Sequence, residues 1–275
     1  MSLVKKIGIM QGRLSPIINK RIQSFPLMNW KKEFSILKKI GIKNIEWTLD
    51  YDSFEKNPVL SNIGIKEIKS LSKKHKIKIN SLTGDCFMEK PFWKLKKNID
   101  LIEDFKKVVN SCNQLKIKYI VIPLVDNGSL KNKKDEKKLK KILFNLIKFI
   151  KKNKVEILFE SDYGPKKLGD FIKKFDKKLF GINYDTGNSA SLGYNINDEF
   201  ENYGKFIKNV HIKDRIFKGS TIKLGNGNVN FSDLFKNLKS ISYKNFLILQ
   251  TARSKSGNHV LEIKDNIKFL KNFSK

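Results

Sequence analysis

The sequence predicts an α/β fold, a single-domain (β/α)₈ barrel, on three observations. Short apolar runs alternate with longer amphipathic segments, the pattern of βα units around a parallel sheet. Eight such runs can be counted, and their starts lie roughly 25–40 residues apart, the room that one strand, one helix and two loops require. The length of 275 residues matches barrels, which commonly fold as one unit of about 250 residues. We therefore expect one barrel domain over residues 1–275.

Each predicted strand is a nearly continuous apolar run, as expected of strands that are buried on both faces. The eight runs are KIGIMQG at 6–12, NIEWTL at 44–49, IKINSLTG at 77–84, YIVIPLV at 119–125, VEILFE at 155–160, FGINYD at 180–185, NVHIKD at 209–214 and FLILQ at 246–250. No GxGxxG sequence follows the first run, so a dinucleotide-binding open sheet is disfavoured.

The segments between the runs have helical spacing. Trp30, Phe34 and Leu37 lie on one stripe, and Gly41 stands where a C-terminal cap belongs. A last stripe within residues 260–270 predicts a helix that closes the barrel.

The formal charge of +30 would suit a protein that binds phosphate backbones. Only four of the 57 basic residues are arginine, however, and the lysines fall mostly on the polar faces of predicted helices, where a solvated face is the ordinary outcome. We therefore do not expect a nucleic-acid partner. An acidic small molecule, such as a sugar phosphate, remains compatible with this charge.

Three features point to a soluble protein. No apolar run approaches the roughly 20 residues that a membrane span needs, and the first residues lack the apolar stretch of a secretion signal. Cys86 and Cys112 form no CxxC pattern, so neither a zinc knot nor a disulfide framework is indicated. We expect a cytoplasmic protein without membrane contact.

Polar side chains end most of the apolar runs, at the face where the βα loops of a barrel converge and form its active site. Helix capping is the alternative role for any one of them. Four come from consecutive strands: Glu160, Asp185, His211 and Gln250. Two carboxylates, an imidazole and an amide oxygen suit Mn²⁺ or Mg²⁺ and also accommodate Zn²⁺ or Co²⁺.

The chain resembles the xylose isomerase-like TIM-barrel family, which holds sugar and sugar-phosphate isomerases and epimerases. The resemblance rests on ILFESD, NYDTGN, VHIKDR and LILQTAR, in this order along the strands, and on the Gly-rich GNGNVNF at 225–231. It implies one divalent metal, Mn²⁺ as the first expectation, held by Glu160, Asp185, His211 and Gln250. It also implies a homo-oligomer, since barrels of this family are often dimers or tetramers.

Two positions depart from the pattern of that family. Asn188 stands where the family often has a substrate-facing histidine, and Gln250 stands where it has a glutamate. In the epimerases the carboxylates after strands five and eight act as an opposed pair of proton-transfer groups. An amide can bind a metal through its oxygen but cannot exchange protons near neutral pH. Metal binding is therefore expected to survive, whereas two-base epimerisation is in doubt.

Further residues are candidates for the chemistry and for substrate binding. Glu160 is expected to be metal ligand and general base together, with Lys213 and Asp214 as the next proton-transfer groups. The substrate-binding candidates, each with a loop salt bridge, hydrogen bond or helix cap as its alternative role, are Arg13, Glu46, Asp85, Asn188, Arg215 and Arg253.

The leading hypothesis is a metal-dependent isomerase or epimerase that acts on a sugar, sugar phosphate or polyol. An altered barrel, which binds carbohydrate without catalysis or performs a lyase or dehydratase step, is the alternative that Gln250 supports. An endonuclease for abasic DNA shares the fold, but its three-zinc cluster needs many histidines. This chain has three, and only His211 ends a strand.

Overall fold

Eight parallel strands close into a barrel in the computed structural model, which describes residues 6–18, 21–254 and 256–273. Each strand pairs with its neighbours in the chain, and β8 pairs with β1. The strands are β1 Ile7–Met10, β2 Ile45–Thr48, β3 Ser81–Thr83, β4 Tyr119–Leu124, β5 Glu156–Ser161, β6 Phe180–Asp185, β7 Ile207–Ile212 and β8 Leu247–Leu249. The predicted (β/α)₈ barrel is confirmed.

Helices follow the strands and form the outer layer. They are α1 Trp30–Ile40, α2 Asn62–His75, α3 Asp85–Glu89, α4 Ile99–Leu115, α5 Lys133–Asn145, α6 Ile147–Lys152, α7 Pro165–Ile172, α8 Thr186–Leu192, α9 Ile196–Tyr203, α10 Phe231–Ser240 and α11 His259–Lys271. The predicted cap at Gly41 is confirmed: φ is 78°, a left-handed conformation that glycine adopts without strain.

The third strand is shorter than its apolar run predicts. Ladder pairing covers only Ser81–Thr83, and the first half of the run contributes one isolated bridge between Asn44 and Lys78. An antiparallel hairpin of Asp214–Arg215 and Thr221–Ile222, which follows β7 at the active-site end, was not predicted.

Residues that point outward from the barrel pack against the helices. Phe159 of β5 contacts the rings of Phe171 on α7 and of Phe175 at centroid distances of 5.3 and 5.2 Å. Aromatic side chains contribute large buried apolar areas, so this cluster fixes α7 against the fifth and sixth strands.

A bulge interrupts the ladder between β6 and β7. Ile182 pairs with Ile207, but the next residue, Asn183, pairs with Asn209, so β7 contains one extra residue. Successive side chains of a strand point to opposite faces, and the bulge therefore places Asn209 on the opposite face from Ile207. Asp185 and His211 become direct partners across the ladder.

No helix in the described ranges has the length and apolarity that crossing a bilayer would require.

Candidate metal centre

Three of the predicted ligands converge at the carboxyl ends of consecutive strands. Glu160, Asp185 and His211 each offer a ligand atom, and these atoms lie within 4.8 Å of one another. Ligands about 2.0–2.3 Å from a common ion are separated by up to about 4.6 Å, and His211 Nδ1 lies 3.2 Å from Glu160 Oε2 and 3.9 Å from Asp185 Oδ2. All three residues are buried, so the set has the chemistry and the spacing of a divalent-cation site.

Asp185 divides its two oxygens between a helix cap and this site. Its Oδ1 accepts the Asn188 backbone N–H at 2.8 Å and caps α8. Its Oδ2 is buried and has no hydrogen-bond donor among the described residues. The Lys213 ammonium lies 2.7 Å from this oxygen, as an ion pair without hydrogen-bond alignment. The ammonium offsets the charge of this oxygen but leaves it without an aligned donor, so Oδ2 keeps a lone pair that a bound cation would use.

The fourth predicted ligand, Gln250, is connected to the other three by the ammonium group of Lys213. Gln250 follows β8, is buried, and its Oε1 accepts a hydrogen bond from Lys213 Nζ at 3.2 Å. One ammonium therefore contacts both Asp185 and Gln250, two of the four expected ligands.

His211 presents its two ring nitrogens to different groups. Nε2 lies 2.6 Å from Glu46 Oε1, whereas Nδ1 lies 3.2 Å from Glu160 Oε2 and 3.9 Å from Asp185 Oδ2. Burial lowers the pKa of His211, but the negative charge of Glu46 and the hydrogen bonds to Glu160 and Glu46 outweigh it and raise the pKa to about 10. Only Nδ1 faces the ligand set.

Two asparagines hold the Glu160 carboxylate. Asn183 donates to Oε2 at 2.7 Å and Asn188 donates to Oε1 at 2.7 Å. Asn188 in turn accepts from Arg215 Nη1 at 2.9 Å. The residue that replaces the histidine of the family thus lies between an arginine and the predicted base.

Glu46 lies beneath the site and is fully buried. Its carboxylate accepts from the Ser81 hydroxyl at 2.5 Å, the Thr83 hydroxyl at 2.6 Å and Asn209 Nδ2 at 2.7 Å, besides facing His211. These protein donors enclose both oxygens, so the geometry does not support the expectation that Glu46 binds sugar hydroxyls.

Asp214 is also placed differently from the expectation that it transfers protons. It is fully buried and accepts the backbone N–H groups of Gly225, Gly227 and Val229 at 2.9–3.1 Å. A Cβ on Gly227 would lie 2.2 Å from Asp214 Oδ1, so glycine is required there. Asp214 therefore organises the Gly-rich loop and does not reach the ligand set.

The arginines predicted to bind substrate differ in exposure. Arg13 is 3% exposed and donates to the carbonyl oxygens of Thr251 and Ile22 and to Gln23 Oε1, each at 2.9 Å. The Arg13 guanidinium therefore connects the loops that follow β1 and β8, and the expected contact of Arg13 with substrate is not supported. Arg215 and Arg253 are half-buried, and no carboxylate forms an ion pair with either in the described ranges.

Asp85, the first residue of α3, is half-buried. Within the described ranges its carboxyl group makes no ion pair and no hydrogen bond. Burial raises its pKa to about 8, with further contributions from the negative charges of Glu160, Glu89 and Asp50. The Asp85 carboxyl group therefore holds its proton to a higher pH than an exposed aspartate does.

Sequence reasoning missed Asn183 and Asn209, which connect the ligands from below. Asn209 donates to Asn183 Oδ1 at 2.8 Å, and Asn183 Nδ2 lies 3.0 Å from His211 Nδ1. Both asparagines occur two residues before a predicted ligand, so they share its face of the strand. A polar residue at that spacing inside an otherwise apolar run could have indicated the network.

A family model described as xylose isomerase-like TIM barrel matches residues 34–273. The chain belongs to the xylose isomerase-like TIM-barrel family. The Glu, Asp and His residues that resembled the metal ligands of this family are the three that the structure brings together.

Solved structures of the xylose isomerase-like fold superpose on nearly the whole chain at low identity. A xylose isomerase domain protein from Planctomyces limnophilus has a TM-score of 0.77 at 11% identity, covering 98% of this chain and 96% of its own. The IolI protein, crystallised with a zinc atom, has 0.75 at 16%, covering 98% and 99%. D-psicose 3-epimerase from Clostridium cellulolyticum H10, solved with D-tagatose, has 0.74 at 14%, covering 98% of each chain.

A curated relative matches more locally. An uncharacterized protein from Methanocaldococcus jannaschii is 29% identical over 89 residues, which are 31% of this chain and 30% of the relative. The match thus spans about a third of the length of either protein.

Proposed function

We propose that this protein is a metal-dependent isomerase or epimerase acting on a sugar, a sugar phosphate or a polyol. The observation that carries the proposal is the convergence of Glu160, Asp185 and His211 at the carboxyl ends of the strands. These three and Gln250 would hold one divalent metal, with Mn²⁺ as our first expectation and Mg²⁺, Co²⁺ or Zn²⁺ as alternatives. The bound metal would supply Lewis-acid polarisation of adjacent substrate oxygens.

Glu160 is the proposed general base. Its carboxylate is positioned by the amides of Asn183 and Asn188, and its side chain keeps 9% of its surface exposed, whereas that of His211 is fully buried. It would accept the carbon-bound proton of the substrate. General bases held in this way contribute typically 10²–10⁴ in rate.

Lys213 is the proposed acid on the opposite side, where Gln250 cannot exchange protons. Its ammonium contacts Gln250 and Asp185 and remains 11% exposed. It would donate a proton to a substrate oxygen while Glu160 removes the proton from carbon. Such a carboxylate and ammonium pair performs isomerisation without the second carboxylate that family epimerases use.

Substrate binding is assigned to Asp85, Arg215 and Arg253, which keep part of their surface exposed. The two guanidinium groups would bind phosphate or carboxylate oxygens, and the Asp85 carboxyl group would bind a hydroxyl. Asn188 is assigned to Glu160 rather than to direct contact with substrate. A cytoplasmic location and a homo-oligomeric state remain expectations.

Gln250 favours a second candidate, an altered barrel that binds carbohydrate or performs a lyase or dehydratase step. The amide is held by Lys213, so this side of the site presents no carboxylate. The two candidates differ in one measurable property, since only an isomerase or epimerase moves a carbon-bound proton without loss of water or cleavage of the carbon chain.

The test begins with metal analysis of the purified protein and titration with Mn²⁺ and Zn²⁺. A panel of ketoses and ketose phosphates in D₂O is then followed by NMR. We expect one carbon-bound hydrogen to exchange with solvent, and Glu160→Gln to slow the exchange at least 100-fold. Glu199→Gln is the matched control, because Glu199 is a buried carboxylate that binds three hydroxyl groups on α8, α9 and β6. Undiminished exchange by Glu160→Gln would refute Glu160 as the base.

A further inference from the structure

The underside of the candidate metal centre is a buried polar layer inside the barrel. Barrel interiors are normally filled by apolar branched side chains, but here Glu46 of β2, Ser81 and Thr83 of β3, and Asn209 of β7 meet in the interior. All four are at most 2% exposed. A charged group at such a position is retained only where it is fully hydrogen-bonded.

The hydrogen bonds of this layer converge on Glu46. Ser81 and Asn209 donate to Oε2, and Thr83 donates to Oε1, the oxygen that faces His211 Nε2 at 2.6 Å. Ser81, Thr83 and Asn209 all present hydroxyl or N–H donors to the carboxylate, and a carboxyl group whose two oxygens both face donors is held in its ionised form. Glu46 is therefore an anion that can only accept.

An acceptor at Nε2 determines which nitrogen of His211 is available. A neutral imidazole carries one proton, and the nitrogen without it is the ligand atom. Because Glu46 holds the proton on Nε2, a metal that displaces the other ring proton would find the lone pair on Nδ1. This nitrogen faces Glu160 Oε2 at 3.2 Å and Asp185 Oδ2 at 3.9 Å.

We propose that Glu46 is the positioning residue of the metal centre: it fixes the ring and tautomer of His211 so that Nδ1 is presented to the metal. This inference rests on the proposed function, because it requires a metal at Glu160, Asp185 and His211. Carboxylates that bind the second nitrogen of a metal-bound histidine typically change metal affinity 10–100-fold when they are removed.

The first experiment reads the tautomer in the wild-type protein. The chain has three histidines, His75, His211 and His259, so long-range ¹H–¹⁵N spectra are simple, and a His211→Gln variant assigns the third set of signals. With Zn²⁺ we expect His211 to be protonated on Nε2 and bound through Nδ1. A Zn²⁺ complex protonated on Nδ1 overturns the inference without any change at Glu46.

The second experiment measures Zn²⁺ affinity by calorimetry. Glu46→Gln is expected to weaken binding 10–100-fold. Thr83→Val, which keeps the carboxylate but removes one of its donors, should cause a smaller loss in the same direction and serves if Glu46→Gln does not fold. The matched control is Glu199→Gln, which neutralises a buried carboxylate bonded to Tyr184, Ser189 and Tyr203 and should bind Zn²⁺ as the wild type does.

The outcomes separate the two proposals. Wild-type protein that binds no divalent cation overturns the metal centre of the proposed function. Wild-type protein that binds Zn²⁺, together with a folded Glu46→Gln variant of equal affinity, overturns only the role of Glu46. Equal weakening by Glu46→Gln and Glu199→Gln also overturns it, because the effect then belongs to any buried carboxylate.

Discussion

Lys213→Met removes the ammonium that lies 2.7 Å from Asp185 Oδ2. At this distance and an effective dielectric constant of about 20, the Coulomb attraction between the two charges is about 6 kcal/mol. Most of it offsets the cost of removing both charged groups from water. The Asp185 side chain is 1% exposed and that of Lys213 is 11% exposed. Removing one partner of a buried pair leaves an uncompensated charge, so we expect EDTA-treated Lys213→Met to lose about 3–5 kcal/mol of unfolding free energy.

A divalent cation should recover this loss. Bound at Asp185, the cation compensates the charge that Lys213 no longer compensates, so saturating Zn²⁺ should stabilise the variant more than the wild type. For the wild type, Zn²⁺ at 100 times its Kd contributes about 2.7 kcal/mol. If the cation recovers at least 1.4 kcal/mol of the stability lost with Lys213, the affinity of the variant for Zn²⁺ should be at least about tenfold higher than that of the wild type, since 1.4 kcal/mol corresponds to a factor of ten.

Urea denaturation with and without Zn²⁺ measures both effects. The control is Lys118→Met, because the Lys118 side chain is 56% exposed and pairs with Glu156 at 3.1 Å. Exposed pairs contribute about 0–1 kcal/mol, and Zn²⁺ should not distinguish this variant from the wild type. The reasoning is refuted if Lys213→Met is as stable as the wild type in EDTA, or if Zn²⁺ stabilises both equally.

Three further predictions concern other features of the chain. Gln250→Glu should retain Zn²⁺ binding in calorimetry, since a carboxylate is also a ligand, and gain a second proton-transfer group; complete loss of binding would contradict this. Burial raises the pKa of Glu33 from 4.5 to about 7, so the folded protein binds this proton more tightly than the unfolded chain does. The free energy of unfolding should therefore fall by up to about 3 kcal/mol as the pH rises from 4.5 to about 7. Glu33→Gln should flatten this part of the urea-denaturation profile, and an unchanged profile would argue against it. DNA binding should be weak, sequence-independent and steeply salt-dependent in fluorescence anisotropy; nanomolar binding at physiological salt would show that the +30 charge has been misread.

The fold could be predicted because its evidence is repetitive. Eight apolar runs at regular spacing specify eight strands, and a residue such as Gly41 needs only its local conformation to be recognised as a cap. The convergence of the three candidate ligands, Glu160, Asp185 and His211, could be predicted because the carboxyl ends of barrel strands meet at one face.

What could not be predicted is which polar residues turn toward protein and which toward solvent. Glu46 and Asp214 lie in or at the end of apolar runs as Glu160 does, yet one is enclosed by donors from two strands and the other by the Gly-rich loop. These partners are distant in sequence, up to 165 residues for Glu46 and His211. Hydrogen bonds between residues so far apart in the chain produce no periodic pattern in the sequence.

The bulge in β7 shows that the candidate ligand set depends on where a strand gains or loses a residue, as well as on residue identity. Ile182 pairs with Ile207 and Asn183 with Asn209, with Lys208 as the additional residue between them. Deleting Lys208 would make Ile207 and Asn209 adjacent on opposite faces and so keep Asp185 and His211 paired. Deleting Val210 instead would turn His211 toward the helices, although every candidate ligand would still be present in the sequence. A homologue one residue shorter between Asn209 and His211 could therefore carry all the candidate ligands and have no metal centre, so the position of a deletion in this strand is a better guide to lost activity than substitutions around it.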